Sequence, residues 1–292
     1  VTAAPYAAGA PAGDDFDVAV PSGHLRAHRF GPANGRLVIC VPGISANSRW
    51  FDFLAERLAE RGRTVVALDL RGRGNSSLSP PGTYGLRNHA LDVYAIARAL
   101  GATSFDYIGH SMGAYVGMEA GAAPSEVRLR KLVLIDGLGV PRLAAVTAIL
   151  RVLVRLDRNY ESCESYVGYV RTLGLVQHWN EYWERAYEYE LIEEAGGRVR
   201  SRTHRAPVFE DVAYGYRHDA RRLWKKLEMP VLAIRAARPL AGRSGFIVPA
   251  CDLKNFVRIA PQATALEIDA NHYDIVMHDR TLSAIRGFLD AA

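Results

Sequence analysis

The sequence predicts an α/β fold, a mostly parallel central sheet flanked by helices, with a helical segment inserted as a cap. Three observations carry that expectation. Short β-branched runs alternate with longer amphipathic stretches; the alternation stops near residue 139 and resumes near 229; and "YIGHSMGAYVGMEAG" (107–121) passes directly from strand character into helix character. Strand, helix, strand repeats imply parallel pairing, because each helix returns the chain to the edge of the sheet from which the next strand must start.

Taken in order, the opening "VTAAPYAAGAPAGDD" (1–15) is rich in Ala, Pro and Gly and lacks the basic start and continuous apolar run of a secretory signal, so it reads as a loose arm. "FDVAV" (16–20) and "LRAHRF" (25–30) flank "PSG", the pattern of two strands around a turn. "RLVICV" then leads to a helical stretch over 48–61, "TVVALDL" to 85–100, "FDYIG" to 112–123, and "KLVLID" closes the first block. From 139 to 228 the repeat gives way to helical, Tyr- and Arg-rich sequence such as "SYVGYVRTLG" and "HWNEYWERAYEYELIEEA". "MPVLAIRA" (229–236), a segment near 251–259, "TALEID" (264–269) and a helical stretch from Asp274 to Leu289 complete the pattern. The expected division is therefore an arm over 1–15, a core over 16–138 and 229–292, and a cap over 139–228. No internal repeat is present.

Composition excludes several function classes. With 292 residues, 49% hydrophobic and 23% charged, the chain can bury one large core. A formal charge of +5 is spread without a dense Lys/Arg block, which argues against nucleic acid as a partner. Cys40, Cys163 and Cys251 are too far apart for a CxxC site and odd in number, so neither a disulfide framework nor a metal site is expected. No run approaches eighteen apolar residues, since "LAAVTAIL" (143–150) is stopped by Arg151, and no membrane span is expected. A cytoplasmic protein without a cofactor fits these features best.

The chemistry-bearing stretch is "GHSMG", which satisfies the G-x-S-x-G pattern and follows the third strand of the alternating block. A strand that turns straight into a helix forces its corner residue into a strained conformation, so its neighbours must be nearly free of side chain. Gly109 and Gly113 meet that need. With "VPGIS" after the first central strand, "DLRGRGNS" after the next and "NHYD" after the last, the chain resembles the α/β-hydrolase superfamily over about residues 16 to 290. The resemblance implies a Ser nucleophile at Ser111, a general base at His272, and an oxyanion hole from the backbone N–H groups of Met112 and Ile44. Where many relatives have His-Gly before that second donor, this chain has Pro42-Gly43. Ser45 and Asn47 are further side-chain donors there, although Asn47 is equally placed to cap the next helix.

The third member departs from the commoner pattern. Most relatives carry an acid in the loop after the strand "VLAIRA", but here that loop reads "ARPLAGRSGFIVP" around Ser244 and Gly245, and no carboxylate stands between Glu228 and Asp252. Some branches instead place the acid at the end of the strand after the nucleophile helix, which implies Asp136, with Asp252 as the weaker substitute. Asp69 is expected to organise the Gly-rich turn and Asp274 to start the final helix. His110 adjoins the serine but its side chain is expected to leave the corner in another direction. His24, His28, His89, His178, His204, His218 and His278 fall outside matching positions, with His278 the nearest competitor of His272.

The implied activity is hydrolysis of a small-molecule carboxylic ester or lactone, or of an amide, through an acyl-enzyme. Carbon–carbon bond hydrolysis, cofactor-free dioxygenation with His272 and Asp136 as the base pair, and a non-catalytic binding role stand as alternatives. A Ser at the corner disfavours dehalogenase and epoxide hydrolase chemistry, which use Asp there. In the cap, Tyr166, Tyr169, Trp179, Tyr182, Trp183, Tyr187 and Tyr189 are candidates to line an apolar or aromatic substrate pocket, although their helical spacing fits core packing better for most. Seven Arg and two Lys between 195 and 226 suggest either an anionic substrate group or, more simply, a solvated helix face.

Overall fold

The computed structural model describes residues 13–21, 23–140, 143–240 and 245–291. Most of the expected arm lies outside the described residues, and the first strand, β1 (Gly13–Val20), reaches back into its last three positions. It pairs antiparallel with β2 (Gly23–Phe30), as the hairpin pattern requires. Six parallel strands follow: β3 (Arg36–Val41), β4 (Arg63–Leu68), β5 (Ser104–His110), β6 (Arg128–Ile135), β10 (Val231–Ala236) and β11 (Ala263–Ile268). Together they form an eight-stranded sheet of order β1-β2-β4-β3-β5-β6-β10-β11, with β2 also antiparallel to β4. The strand order reverses beside β3 and β5, where ligands of open α/β sheets bind at the carboxyl ends of the strands.

Strands covered on both faces need apolar residues at nearly every position. All six residues of β4 and of β10 are buried. Successive side chains point to opposite faces, so Ile39 and Val41 join one apolar layer while Val38 and Cys40 join the other. The first layer lies under α2 (Leu86–Ala99), α3 (Met112–Ala122) and α8 (Ala250–Ile259); the second lies under α1 (Asp52–Ala59) and α9 (Asp279–Asp290). The stretch read as one helix over 48–61 begins as a 3-10 turn at Ser48–Phe51, and the last helix is likewise preceded by a 3-10 turn at Asp274–Met277.

Between β6 and β10 stand α4 (Leu143–Leu153), β7 (Asn159–Tyr160), α5 (Cys163–Thr172), α6 (Glu181–Tyr189), β8 (Leu191–Glu193), β9 (Val199–Ser201) and α7 (Arg205–Arg217). The two middle helices have strong starts: Ser162 and Ser165 form a reciprocal capping box, and the Asn180 side chain accepts from the N–H groups of Tyr182 and Trp183. The small sheet β7-β9-β8 was not anticipated in a segment read as helical. Its turn holds Gly196 and Gly197 at φ 83° and 77°, a backbone that β-branched and bulky residues avoid. Strands of two or three residues are too short to impose a period of two on their sequence.

At the end of the sheet opposite the carboxyl edge, Asp106 of β5 has a fully buried side chain. Arg130 Nη2 donates to both of its oxygens at 2.7 and 2.8 Å, and Arg36 Nε lies 2.9 Å away. Burial pushes the Asp106 carboxyl up to about 6 against the opposing pull of Arg36, Arg63 and Lys131. Removing one partner of such a cluster leaves the others desolvated and uncompensated. Asp106→Ala is therefore expected to lower the unfolding free energy in urea by about 3 kcal/mol; a loss below about 1 kcal/mol would mean that the surrounding arginines reach water without it.

Candidate active site

Strand β5 ends at His110 and α3 begins at Met112, leaving Ser111 alone at the corner with φ 53° and ψ −118°. Ser111 N donates to Ile135 O of the neighbouring strand at 2.9 Å, and Ser111 O accepts from Ala114 N, also at 2.9 Å. The glycines matter for contact as much as for conformation: a Cβ on Gly113 would run into the Val41 carbonyl, and one on Gly109 into the carbonyl of Gly113. Backbone therefore packs directly on backbone where the serine is held.

His272 follows β11 in a short loop organised by Asn271. The Asn271 side-chain Oδ1 accepts from the N–H groups of Tyr273 and Asp274, both at 2.9 Å, and its Nδ2 donates to Leu175 O. His272 Nε2 lies 3.0 Å from Ser111 Oγ, and Nδ1 lies 2.7 Å from Asp136 Oδ2. A carboxylate only accepts, so Nδ1 carries the proton and Nε2 is left to accept from the serine hydroxyl. Asp136 is itself oriented: its other oxygen accepts from Ala236 N at 3.0 Å, and its backbone sits at φ 43°. Ser111 and Asp136 are the non-glycine residues with positive φ among the described residues, and both belong to this cluster. Strain of this kind persists where the surroundings over-determine it.

Asp252, the weaker substitute, lies on α8 with its carboxylate against Gly139, not beside His272. Ser244, where the commoner pattern puts the acid, lies outside the described residues. His110 lines the same cavity as Ser111, but its hydrogen bond goes to another partner. Its Nε2–H donates to the His272 carbonyl at 2.9 Å, and burial, with His272 beside it, holds this imidazole well below its ordinary value and so neutral. His110 thus fixes the backbone of the histidine that faces Ser111. His278 caps α9 by accepting from Arg280 N, and His28 and His89 are bound to Asp15 and Asp211. Asp69 organises the Gly-rich turn by accepting from Ser48 N, Asn75 N and Tyr189 Oη. Asp274 does more than open the last 3-10 turn: it accepts from the N–H groups of Gln177 and His178, tying that loop to the insert.

Ser111 and His272 border a cavity of about 30 Å³, also lined by Gly43, Ile44, Ser45, Trp50 and Tyr273 and, from α4, Ile149, Val152 and Leu153. That is room for about two water molecules. The cap aromatics expected as lining do not reach it. Tyr166, Trp183 and Tyr187 build the interior of the insert around Trp50, with Trp50 and Trp183 in edge contact at 4.8 Å. Trp179 stacks on Tyr187, Tyr182 packs on Phe53, and Tyr189 is spent on Asp69. Trp50 and the α4 residues were missed; the i, i+3, i+4 spacing of Ile149, Val152 and Leu153 marks one helix face, but nothing local says what that face meets. The Arg-rich stretch is largely ion-paired at the surface, through Arg200 to Glu194, Arg205 to Asp157, Arg221 to Asp219 and Arg222 to Glu119.

Of the expected oxyanion donors, Ile44 lines the cavity, and Met112 opens α3, where first-turn N–H groups have no intrahelical acceptor. Asn47 acts as the cap of the 3-10 turn, accepting from Arg49 N, while its amide donates to Ala186 O of the insert. Among the described residues no group of three or more His, Cys, Asp or Glu is placed to hold a metal ion, and no helix is long and apolar enough to cross a membrane.

A family model described as alpha/beta hydrolase fold matches residues 36–278. The chain belongs to the α/β-hydrolase family. This α/β-hydrolase is 43% identical to an N-formylmaleamate deformylase of Pseudomonas putida over 119 residues, a match that covers 40% of this chain and only 43% of that protein. It is 27% identical over 275 residues to a 2-(acetamidomethylene)succinate hydrolase of Mesorhizobium japonicum, covering 88% of this chain and 89% of that one. The crystal structure of an E-2-(acetamidomethylene)succinate hydrolase superposes with a TM-score of 0.81 at 24% identity, over 96% of this chain and 100% of that one, which establishes likeness of fold.

Gly43 offers a test of how closely the site is fitted. A Cβ there would stand 3.3 Å from Ser111 Cβ and 3.8 Å from Ser111 Oγ, in a backbone that alanine can adopt. Gly43→Ala is expected to move the thermal midpoint by only a few degrees while slowing modification of Ser111 by a fluorophosphonate about tenfold or more. Unchanged labelling would show that the hydroxyl has slack.

Proposed function

We propose that this α/β-hydrolase cleaves a small acyl compound, a carboxylic ester or an amide, by nucleophilic catalysis at Ser111 with His272 as general base and Asp136 as its orienting acid. The observation that carries the reading is the chain of contacts from Ser111 Oγ to His272 Nε2 at 3.0 Å and from His272 Nδ1 to Asp136 Oδ2 at 2.7 Å. A serine hydroxyl is a weak nucleophile until a base within reach takes its proton. As Oγ adds to the acyl carbon, its proton passes to His272 Nε2, and the imidazolium so formed is stabilised by Asp136. The carbonyl oxygen becomes an oxyanion, which the N–H groups of Met112 and Ile44 stabilise. His272 then returns the proton to the leaving oxygen or nitrogen. Water, deprotonated by the same imidazole, releases the acid and regenerates the hydroxyl.

The matched relatives support bond hydrolysis as the reaction class. Both bear names of enzymes that act on a formyl or acetamido compound, which brings the amide reading, at first the lesser one, level with the ester. The same names weigh against oxygenation, carbon–carbon cleavage and a purely binding role. We further propose that the segment from α4 to α7 acts as the cap. Its α4 residues line the cavity of about 30 Å³ beside Ser111, and a small acyl group suits that space better than a long one.

Ser111→Ala should abolish turnover of p-nitrophenyl acetate and labelling by a fluorophosphonate; full labelling of that variant would end the assignment. Asp136→Asn keeps the shape but presents a donor where an acceptor is needed, and is expected to lower kcat about 10⁴-fold with the fold intact. A near-normal rate would remove Asp136 from the chemistry.

A further inference from the structure

The loop proposed to supply one oxyanion donor is a tight turn, Gly43-Ile44-Ser45-Ala46, closed by Ala46 N donating to Gly43 O at 3.2 Å. That bond uses the carbonyl of the peptide whose N–H belongs to Ile44. It directs the N–H to the opposite side. The turn has two further carbonyls before Ala46, and each is held by a buried guanidinium. Arg73 Nε donates to Ile44 O at 3.1 Å; Arg155 Nη2 donates to Ser45 O at 3.1 Å and approaches Ser45 Oγ at 3.3 Å. Arg73 comes from the "DLRGRGNS" loop and is 0% exposed, while Arg155 follows α4 and is 2% exposed.

Two buried cations beside one turn require compensation. Each has it from a carboxylate of the segment between β6 and β10. Arg73 Nη2 binds Asp211 of α7, and Arg155 Nη2 lies 3.1 Å from Glu190, the residue after α6. Both acids are fixed in turn. Asp211 accepts from Gly85 N at 2.6 Å and from His89 Nε2 at 3.0 Å; burial would raise its carboxyl, but His89 and Arg73 hold it well below the usual carboxylate range. Glu190 accepts from Ser201 Oγ at 2.6 Å.

We propose that Arg73 and Arg155 are positioning residues that clamp the 43–46 turn, so that docking of the inserted segment, through Asp211 on Arg73 and through Arg155 braced by Glu190, sets the aim of the Ile44 N–H at the oxyanion. The inference rests on the hydrolase reading and goes beyond it by giving a role to two residues that touch neither substrate nor Ser111. The middle peptide of a tight turn, here Ile44–Ser45, is the one that rotates between turn types, and Arg73 holds its carbonyl. Arg155 holds the carbonyl of the next peptide, whose N–H is the Ala46 donor that fixes Gly43 O and, across the same peptide, the Ile44 N–H. An oxyanion donor has its full effect only when fixed before the charge develops. An insert lifted from the core takes Asp211 away from Arg73 and carries Arg155, together with Glu190, off the Ser45 carbonyl, so the turn loses both restraints.

Lysine is the discriminating substitution. It keeps the positive charge for Asp211 or Glu190 but lacks the forked guanidinium that reaches carboxylate and carbonyl together. With p-nitrophenyl acetate as probe substrate, Arg73→Lys and Arg155→Lys are each expected to lower kcat about 10- to 100-fold, less than outright removal of a donor, with KM within about twofold. A small alkyl trifluoromethyl ketone, to whose carbonyl Ser111 Oγ adds while the proton passes to His272, should lose affinity by the same factor as kcat. A merely structural role would lower the thermal midpoint without that parallel. Unchanged kcat in both folded variants, or a fall in kcat without weaker adduct formation, would overturn the proposal. Should either Lys variant fail to fold, the apolar pairs Arg73→Met with Asp211→Leu and Arg155→Met with Glu190→Leu replace the ions by side chains of similar bulk; wild-type kcat in those would overturn it equally. Ser111→Ala separates the two readings. Turnover surviving in that variant defeats the hydrolase reading itself, whereas its loss beside unimpaired Lys variants defeats only the clamp.

Discussion

The left-handed backbone at Ser111 is the constraint on which the rest of the structure depends. No helix follows a strand without an intervening loop unless one residue absorbs the change of direction, and here that residue sits at φ 53°. A strained serine costs on the order of 1–3 kcal/mol. It persists because Gly109 and Gly113 let strand, helix and the β3 carbonyls pack backbone to backbone, and because Ser111 N is bound to Ile135 O. The corner thereby fixes the hydroxyl relative to β6, whose next residue is Asp136, also left-handed. The two strained positions are one hydrogen bond apart along adjacent strands. Their mutual geometry is therefore a property of the sheet, and His272 needs only to fall between them.

Charge is distributed along the sheet in keeping with this. Toward the amino end of β5, Asp106 gathers arginines from β3 and β6 in a cluster at the opposite end of the strand from Ser111. At the carboxyl end the carboxylates of Asp69 and Asp136 are each held by two or more partners. Asp69 illustrates the balance there: burial raises its carboxyl, while N–H groups from Asn75 and Ser48 and the Tyr189 hydroxyl pull it the other way. A carboxylate so surrounded serves as a fixed acceptor that organises two loops. It is not a free base.

Features that local sequence dictates were legible, and features that depend on what an apolar face meets were not. The Ser111 corner could be read because a serine between glycines, at the junction of a strand run and a helix run, has few other uses. A place for Asp136 beside His272 came from the resemblance alone, in which some branches carry an acid at the end of this strand, once the usual loop between Glu228 and Asp252 proved to hold no carboxylate. The cavity lining could not. Ile149, Val152 and Leu153 are chemically indistinguishable from core residues, and the more conspicuous aromatics of α5 and α6 found one another in place of the cavity. The hairpin of β8 and β9 was hidden by its length, with Gly196-Gly197 its one signal. The buried pairs were out of reach for another reason: Arg73 and Asp211 are 138 residues apart, Arg155 and Glu190 are 35, and nothing in either neighbourhood marks an arginine as one that folding will bury.

The first of those pairs, with the bond from Arg155 to the Ser45 carbonyl, also bears on why the insert and the core belong together. The third apolar cluster takes Trp50 and Tyr273 from the core and Tyr166, Trp183 and Tyr187 from the insert, so neither part is closed without the other. Apolar contact of that kind is tolerant of small shifts, because dispersion and burial have little directional demand. The ionic contacts are not tolerant: a buried guanidinium that loses its carboxylate is left desolvated, at a cost of about 3–5 kcal/mol. Between them the two kinds of contact divide the labour. The aromatic cluster gives the insert its adhesion, while Asp211, Arg155 and Tyr189 give it a register, ending on Arg73, Ser45 and Asp69 of the core loops around Ser111. An insert seated even slightly out of place would keep most of its buried area and lose these bonds first, so correct seating is tied most tightly to the geometry of the turn beside the Ser111 hydroxyl.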